Sequence, residues 1–340
     1  MKSRIVQKYG GTLLCERSDR RLVVESVREA WAAGSQVVVV VSAMGRAGDP
    51  YATDTLIGLA RQVGQEPEPR ALDCLLNAGE AISASLLSME LNAAGVPSIP
   101  YTGAAAGVVT TSDFGRAAIV RVDASRLEAA CRDGTVPVVA GFQGVTEKLE
   151  PTTLGRGGSD LTAVALGSAL DARVVEIVKD VDGVMSADPT IVPDARPLPE
   201  ITYEDLLNVT STGSRVVQRE AVSLAAEHRV SLVVRKLGAD GGTRVSDTRT
   251  SIPVLTCRDG MVTITGLDER RAGQVLASGS ERLRAAGIPL LRAHHSARCV
   301  AFVVEPERAP HAAAHLERLA RTDSSAGTGV RDGPVDAQPE

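Results

Sequence analysis

Read from the amino terminus, the apolar positions form first a strand and then a helix. Residues 4 to 9 predict a strand ending in Gly10 and Gly11, a helical pattern follows around Leu22 to Ala33, and "QVVVVVSAM" then predicts a buried strand. Further apolar runs, "VPVVAGFQGV" at 136 to 145 and "ARVVEIVKDV" at 172 to 181, alternate with helical stretches at 71 to 94, 159 to 170 and 215 to 228. Alternation of this kind predicts an α/β fold, a mainly parallel sheet sandwiched by helices. Ligands on such sheets sit beyond the carboxyl ends of the strands, where the motif-bearing glycines of this chain fall.

A polar, glycine-containing stretch near 238 to 252, "GADGGTRVSDTRTS", suits a domain boundary. It divides a domain over 1–247 from a smaller one over 252–320. In the latter, "GMVTITGL", "AGQVLASGSERLRAAG", "IPLLRAHHS", "RCVAFVVE" and "HAAAHLERLA" predict strand, helix, strand, strand and helix, most of a small α+β sandwich. The segment 322–340 is rich in small and polar residues and is expected to be disordered.

Composition narrows the function. The 340 residues are 44% hydrophobic and 23% charged, enough for two cores. A net charge of −5 and 2% aromatic residues give neither the phosphate footprint nor the stacking platform of a nucleic-acid binder, so a small-molecule partner is expected. The strongest apolar run, Val37 to Val41, is far too short to span a bilayer. The amino terminus enters a strand pattern without the features of a secretory signal, which predicts a cytoplasmic protein. Its five cysteines are scattered, odd in number and without metal-ligand spacing, as expected of reduced thiols. Basic residues are 32 arginines against five lysines, Lys2, Lys8, Lys148, Lys179 and Lys236.

Three segments carry candidate chemistry. In "GRGGSDLTAVAL" (155–166), glycines let a ligand approach the backbone, and a helix start favours an anion. Arg156 can clamp a carboxylate, while Ser159 and Asp160 can cap the helix or touch the ligand. A plain strand-to-helix turn would read the same way. In "QKYGGTLL", Gly10 and Gly11 free the amides and Lys8 is aimed toward them, although a simple strand-turn, with the lysine left by compositional drift, fits too. The pattern is not G-x-x-x-x-G-K-[ST], which disfavours the common nucleotide-hydrolase fold. In "KDVDGVMSADP", Asp180 and Asp182 flank Val181 at a strand end with their side chains on one side, suited to Mg²⁺, to a ribose, or to nothing more than a solvated turn. His294 and His295 have no cysteine or carboxylate partner at suitable spacing and read as surface residues, not metal ligands.

Taken together, "VQKYGGT", "VVVVVSAMG", "NAGEAIS", "TGAAAGVVT", "VVAGFQGV", "TTLGRGGSDLTAVAL", "KDVDGVMSADPTIVPDARPL" and "ITYEDLLNVTSTGSRVV" resemble the aspartate kinases of the amino acid kinase family, in their actinobacterial form. The motifs run in the family's order from residue 4 to about 245. The resemblance implies a phosphate loop of Lys8, Tyr9, Gly10, Gly11 and Thr12, with Lys8, Asp160 and Lys236 catalytic. It implies nucleotide contacts from Lys179, Asp180, Asp182, Gly183, Met185, Asp188 and Pro189. The substrate set becomes Ser42, Glu80, Phe142, Arg156, Gly157, Gly158, Ser159 and Asp160. ATP with Mg²⁺ would phosphorylate the β-carboxylate of L-aspartate. The second domain resembles one ACT domain, the module through which such enzymes bind a feedback amino acid and pair as homodimers. Several positions depart from the pattern: Leu13 stands where serine is usual, Lys179 for threonine, Gln218 for histidine and Thr190 for arginine. "LDERRAGQV" replaces a glycine-bearing effector loop. A weakly regulated or unregulated aspartate kinase, of a kind suited to a specialised pathway, is the expectation. Its alternatives are a kinase of another amino-acid carboxylate and a catalytically silent regulatory subunit.

Overall fold

A computed structural model describes residues 3–211, 216–239, 241–247, 253–296 and 298–321. The segment 322–340, expected to be disordered, lies outside the described residues, as do positions 212–215 of the last motif. Two compact units emerge, Met1–Ser186 with Arg196–Ile252, and Ala187–Ala195 with Pro253–Glu340. The boundary near 252 matches the polar stretch, but sequence reading left Ala187–Ala195 in the first domain. This segment packs in the second unit because its apolar side chains, Ala187 and Val192, join that unit's core.

In the first unit the chain runs β1 (Arg4–Tyr9), α1 (Thr12–Cys15), α2 (Arg17–Ala32), β2 (Gln36–Val41), α3 (Thr53–Val63), α4 (Pro69–Ala93), β3 (Ser98–Tyr101), β4 (Val108–Thr110), β5 (Ile119–Val122), α5 (Ser125–Arg132), β6 (Val136–Ala140), β7 (Gln143–Val145), β8 (Pro151–Thr153), α6 (Gly158–Ala169) and β9 (Val174–Lys179). It continues through β10 (Glu200–Thr202), α7 (Tyr203–Ser211), α8 (Arg219–His228), β11 (Leu232–Lys236) and β12 (Thr243–Ser246). The main sheet has the order β10-β12-β11-β9-β1-β2-β6-β3. Its central strands are parallel and β12 runs antiparallel to β11. A smaller sheet orders β5-β4-β7-β8. The run 136–145, expected as one strand, is broken at Gly141–Phe142 into β6 and β7, which belong to different sheets. Phe142 turns the chain there with φ at 68°, a conformation unfavourable for a side chain with a Cβ.

Alternation of side chains sets up the two faces. Ile5 and Tyr9 of β1, Val37, Val39 and Val41 of β2, and Val136 and Val138 of β6 pack against Val23, Val24 and Val27 of α2 and Leu87 and Leu91 of α4. Burying each such aliphatic side chain stabilises the fold by about 1.5–3 kcal/mol. The same register turns Lys8 to the opposite face, beside Val40 and Ile177. That face belongs to α6, where Gly167 comes so close to Val175 that an added Cβ would lie 2.3 Å from its Cγ2. Strands β2, β6 and β3 lie on one side of β1, and β9 and β11 on the other. Helix α6 carries the chain across this switch point, and the crossing begins in the glycine-rich stretch.

The second unit comprises β13 (Val254–Arg258), β14 (Met261–Thr265), α9 (Glu269–Ala285), β15 (Arg292–Ser296), β16 (Cys299–Val303) and α10 (Ala309–Arg321). Its antiparallel sheet has the order β13-β14-β16-β15. Leu255, Val262, Ile264, Val300 and Phe302 pack against Val275 and Leu283 of α9 and Ala312 and Leu316 of α10. Sequence reading missed β13, and it placed Ile288–Leu291 inside a strand that starts only at Arg292.

Candidate active site

Two loops close on each other at the carboxyl ends of β1 and β2. Gly11 accepts the Gly45 amide at 3.1 Å, and a Cβ added at Gly11 would lie 2.1 Å from the Ala43 carbonyl oxygen. Only glycine permits this approach. The loop after β2 is also tied to α4, since the Ala43 amide donates to Glu80 Oε1 at 3.2 Å and the Met44 amide to Ser83 Oγ at 2.9 Å. Ser42 is joined to β1 through its amide and the Tyr9 carbonyl.

Behind these loops stands a buried charge cluster. Lys8 Nζ lies 2.8 Å from Asp160 Oδ1, with side-chain exposures of 7% and 4%, and Lys179 Nζ lies 3.5 Å from Asp160 Oδ2. The Gln218 amide donates to the same Oδ2 at 3.2 Å. Burial alone would raise the Asp160 carboxyl, but Lys8, Lys179 and that amide together hold it below its ordinary value. Burial lowers the Lys179 ammonium, and the charge of Lys8 adds to this, against the pull of Asp160. Two cations against one anion leave the cluster with an excess positive charge in a water-poor setting, the arrangement needed to meet an anion.

Helix α6 begins beside this cluster, with Gly157 as N-cap at φ 77°. Ser159 and Asp160 therefore do not cap the helix, as their sequence position suggested. They lie inside its first turn and are buried, Asp160 pointing at the lysines. Phe142 packs over the same turn, its amide donating to Thr162 Oγ1 at 3.1 Å and a Cβ added at Gly158 falling 3.1 Å from its ring. Arg156, at 86% side-chain exposure, pairs with Asp54 of α3 at 3.1 Å.

The remaining expected residues divide. Tyr9 does not offer its side chain to the site. Its ring is fully buried on the α2 face, and its hydroxyl bonds to Gln7 and Ser26, because strand alternation sends it away from Lys8. Gly10 and Thr12 form the turn into α1. Asp180 and Asp182 lie beyond the last residue of β9, so strand parity does not govern them. They diverge, Asp180 to Arg46 at 3.6 Å and Asp182 to Lys236 at 3.3 Å. Lys236 sits opposite Lys179 in the ladder between β11 and β9. Gly183 turns the chain at φ 125°, and Met185 bridges to Pro197. Asp188 and Pro189 belong to the second unit. Sequence reading missed Arg46, one residue past a quoted motif, and Asp54, for which no local pattern exists.

Glu80 is 2% exposed, and burial pushes its carboxyl up to about 7 against the bonds from the Ala43 amide and its own backbone amide, which lower it. In the unfolded chain it ionises near 4.5. The folded protein therefore holds this proton over the interval between those values, and the associated stability, complete below 4.5, is lost as pH rises through about 7. The loss amounts to roughly 3 kcal/mol. Glu80→Gln abolishes it, so the variant is expected to melt above the wild type at about pH 8 and close to it at about pH 4. Thermal melts at both pH values check this, and coincident melts at the higher one contradict it.

Comparison with known proteins follows the same lines. Residues 3–236 match the model of the amino acid kinase family. Aspartokinase 1 of Bacillus subtilis (strain 168) is 44% identical over 248 residues, covering 73% of this chain and 61% of that protein, so the chain spans less than two thirds of this relative's length. The structure of aspartate kinase from Synechocystis superposes with a TM-score of 0.64 at 31% identity, over 91% of this chain and 54% of that one. Escherichia coli aspartokinase III in complex with aspartate and ADP gives 0.63 at 24% identity, over 89% of this chain and 79% of that one, a likeness of fold.

Proposed function

Since the chain belongs to the amino acid kinase family, we propose that it transfers the γ-phosphoryl group of ATP to the β-carboxylate of L-aspartate. The observation that carries this reading is the buried Lys8–Asp160–Lys179 cluster at the start of α6. The aspartokinase name of the relative and the aspartate and ADP bound by the E. coli protein support the choice of substrates.

A carboxylate oxygen of aspartate attacks the γ-phosphorus, the bond to the β–γ bridging oxygen breaks, and ADP leaves with that electron pair. The product is 4-phospho-L-aspartate. The attacking carboxylate is already ionised near neutral pH, so no general base is needed, and positioning with charge neutralisation carries the rate. Lys8 and Lys179 receive the charge of the phosphoryl group, and Asp160 fixes both ammoniums. Lys236 and the residues around Gly183 and Met185 contribute to nucleotide binding. Arg156 grips the α-carboxylate with Ser159, while Ser42 and Phe142 shape the substrate site. Among the described residues no group of three or more His, Cys, Asp and Glu forms a metal cage. Mg²⁺ binding fits all the same, because the ion commonly takes one or two carboxylates and keeps phosphate and water ligands. Asp180 or Asp182, on leaving Arg46 or Lys236, would supply a carboxylate to hold the ion, which would neutralise charge on the nucleotide's phosphates.

Arg156 must leave Asp54 to hold the substrate. An exposed pair of this kind is worth at most about 1 kcal/mol, so Asp54→Asn is expected to lower KM for aspartate by no more than about fivefold, and not to raise it. Initial rates across aspartate concentrations decide. The four-stranded second unit is proposed to be a single ACT-like module through which two copies pair, with weak or no response to lysine and threonine. We place the protein in the cytoplasm, where its five free thiols stay reduced. The test of the whole reading is trapping the acyl phosphate with hydroxylamine in the presence of MgATP and L-aspartate. Hydroxamate from aspartate is expected; hydroxamate only from another amino acid would reassign the substrate, and none at all from folded protein would overturn the kinase reading.

A further inference from the structure

Glu80 and Asn77 are three residues apart on α4, so they share a face, with Cβ atoms about 5–6 Å apart. Each ends in a buried oxygen without a hydrogen-bond partner among the described residues, Glu80 Oε2 and Asn77 Oδ1. Buried polar atoms are nearly always satisfied, and each one left unmade destabilises its protein. Asn77 Oδ1 can only accept, and Glu80 Oε2 becomes an acceptor once an incoming cation draws its carboxyl into the ionised form, so the pair calls for a compact cationic donor with several N–H bonds. A primary ammonium offers three, while a phosphate or carboxylate offers none.

The surroundings say which ammonium. Asp73, one turn before Asn77, accepts from the Gly115 amide and from Thr153, whose strand leads into the loop of Arg156. Glu80, one turn after it, accepts from Ala43 beside Ser42. The Asn77 carbonyl itself accepts from Gln143 Nε2 at 3.1 Å, next to Phe142. Asn77 is thus held among the elements that carry Ser42, Phe142 and Arg156.

We infer that Asn77 is a specificity-determining residue, its Oδ1 acting with Glu80 Oε2 to take the α-ammonium of the amino-acid substrate. The inference rests on the proposed reading only in that the phosphorylated acid bears an amine. The pair selects for that amine: succinate, with the same two carboxylates, leaves both acceptors unmade.

The experiment compares wild type, Asn77→Leu and Asn77→Asp on L-aspartate, succinate, L-glutamate and glutarate, by hydroxamate formation and by calorimetric binding, with melting temperatures taken alongside. Wild type should favour L-aspartate over succinate. In Asn77→Leu the KM for aspartate should rise about tenfold, the size expected of a hydrogen bond to a charged donor, with the effect on KM exceeding that on kcat. The constants for succinate should hold, so the preference collapses. Asn77→Asp keeps an acceptor and should keep the preference, and it decides alone if the leucine variant does not fold. A folded leucine variant with its preference intact, or an aspartate variant that loses it, overturns the inference. Wild type that favours glutamate over glutarate and ignores aspartate would sink the aspartate reading and leave the role of Asn77 standing. Wild type with no preference for either amine-bearing acid would sink the inference whatever its substrate.

Discussion

Lys8→Ala is expected to lower kcat by about a thousandfold or more, in line with losses on removing a preorganised charge from a developing anion. The ammonium is buried, 2.8 Å from Asp160. Its removal leaves Lys179 as the sole lysine on Asp160, so the anion now cancels the remaining cation and the excess charge disappears. The KM for aspartate should move little, because Arg156 and Glu80 lie on other elements. Lys8→Arg should not restore turnover, since a planar guanidinium does not fit a buried position shaped for a compact ammonium. Single-turnover rates with saturating MgATP separate this from weakened nucleotide binding, and a variant retaining more than a tenth of wild-type kcat would remove Lys8 from the chemistry.

The second large effect falls on stability. Asp160→Ala leaves two lysines facing each other in a buried site, and removing one partner of a buried ion pair destabilises by about 3–5 kcal/mol. The deficit should narrow as pH rises through the range, below that of the wild type, in which Lys179 titrates once Asp160 no longer supports its charge, because there the folded variant has shed a proton that the folded wild type and the unfolded chain keep. Lys179→Met in the Asp160→Ala background should recover part of the loss, as it removes one of the unpaired charges. Urea titrations of the two single variants and the double form a cycle. Additive losses would show that Asp160 and Lys179 do not interact, contrary to their 3.5 Å separation.

Much of this was legible in the chain. The continuous valine run of β2 is what a sheet covered on both faces dictates, and three of the five lysines, Lys8, Lys179 and Lys236, prove to stand on one face at its carboxyl edge. Lysine stood out because arginine serves everywhere else. What escaped was either short or distant. Strands of three or four residues, as in the small sheet, cannot display a period. Asp54 and Arg156 meet across 102 positions with no local pattern to announce it. Ser159 and Asp160 looked like caps because capping residues stand just before a helix, but the left-handed Gly157 starts α6 one residue earlier and turns both side chains inward.

The excursion of Ala187–Ala195 has a consequence for anyone redesigning this protein. The chain passes between the units three times, at Ser186, Ala195 and Ile252, so a shortened gene ending at 252 would deliver the first unit trailing an apolar strap built for a core that is no longer encoded. Exchange of the second unit by fusion at the terminal boundary alone would carry the wrong strap. Grafts that transplant the nine-residue excursion together with its module should be the ones that remain in solution.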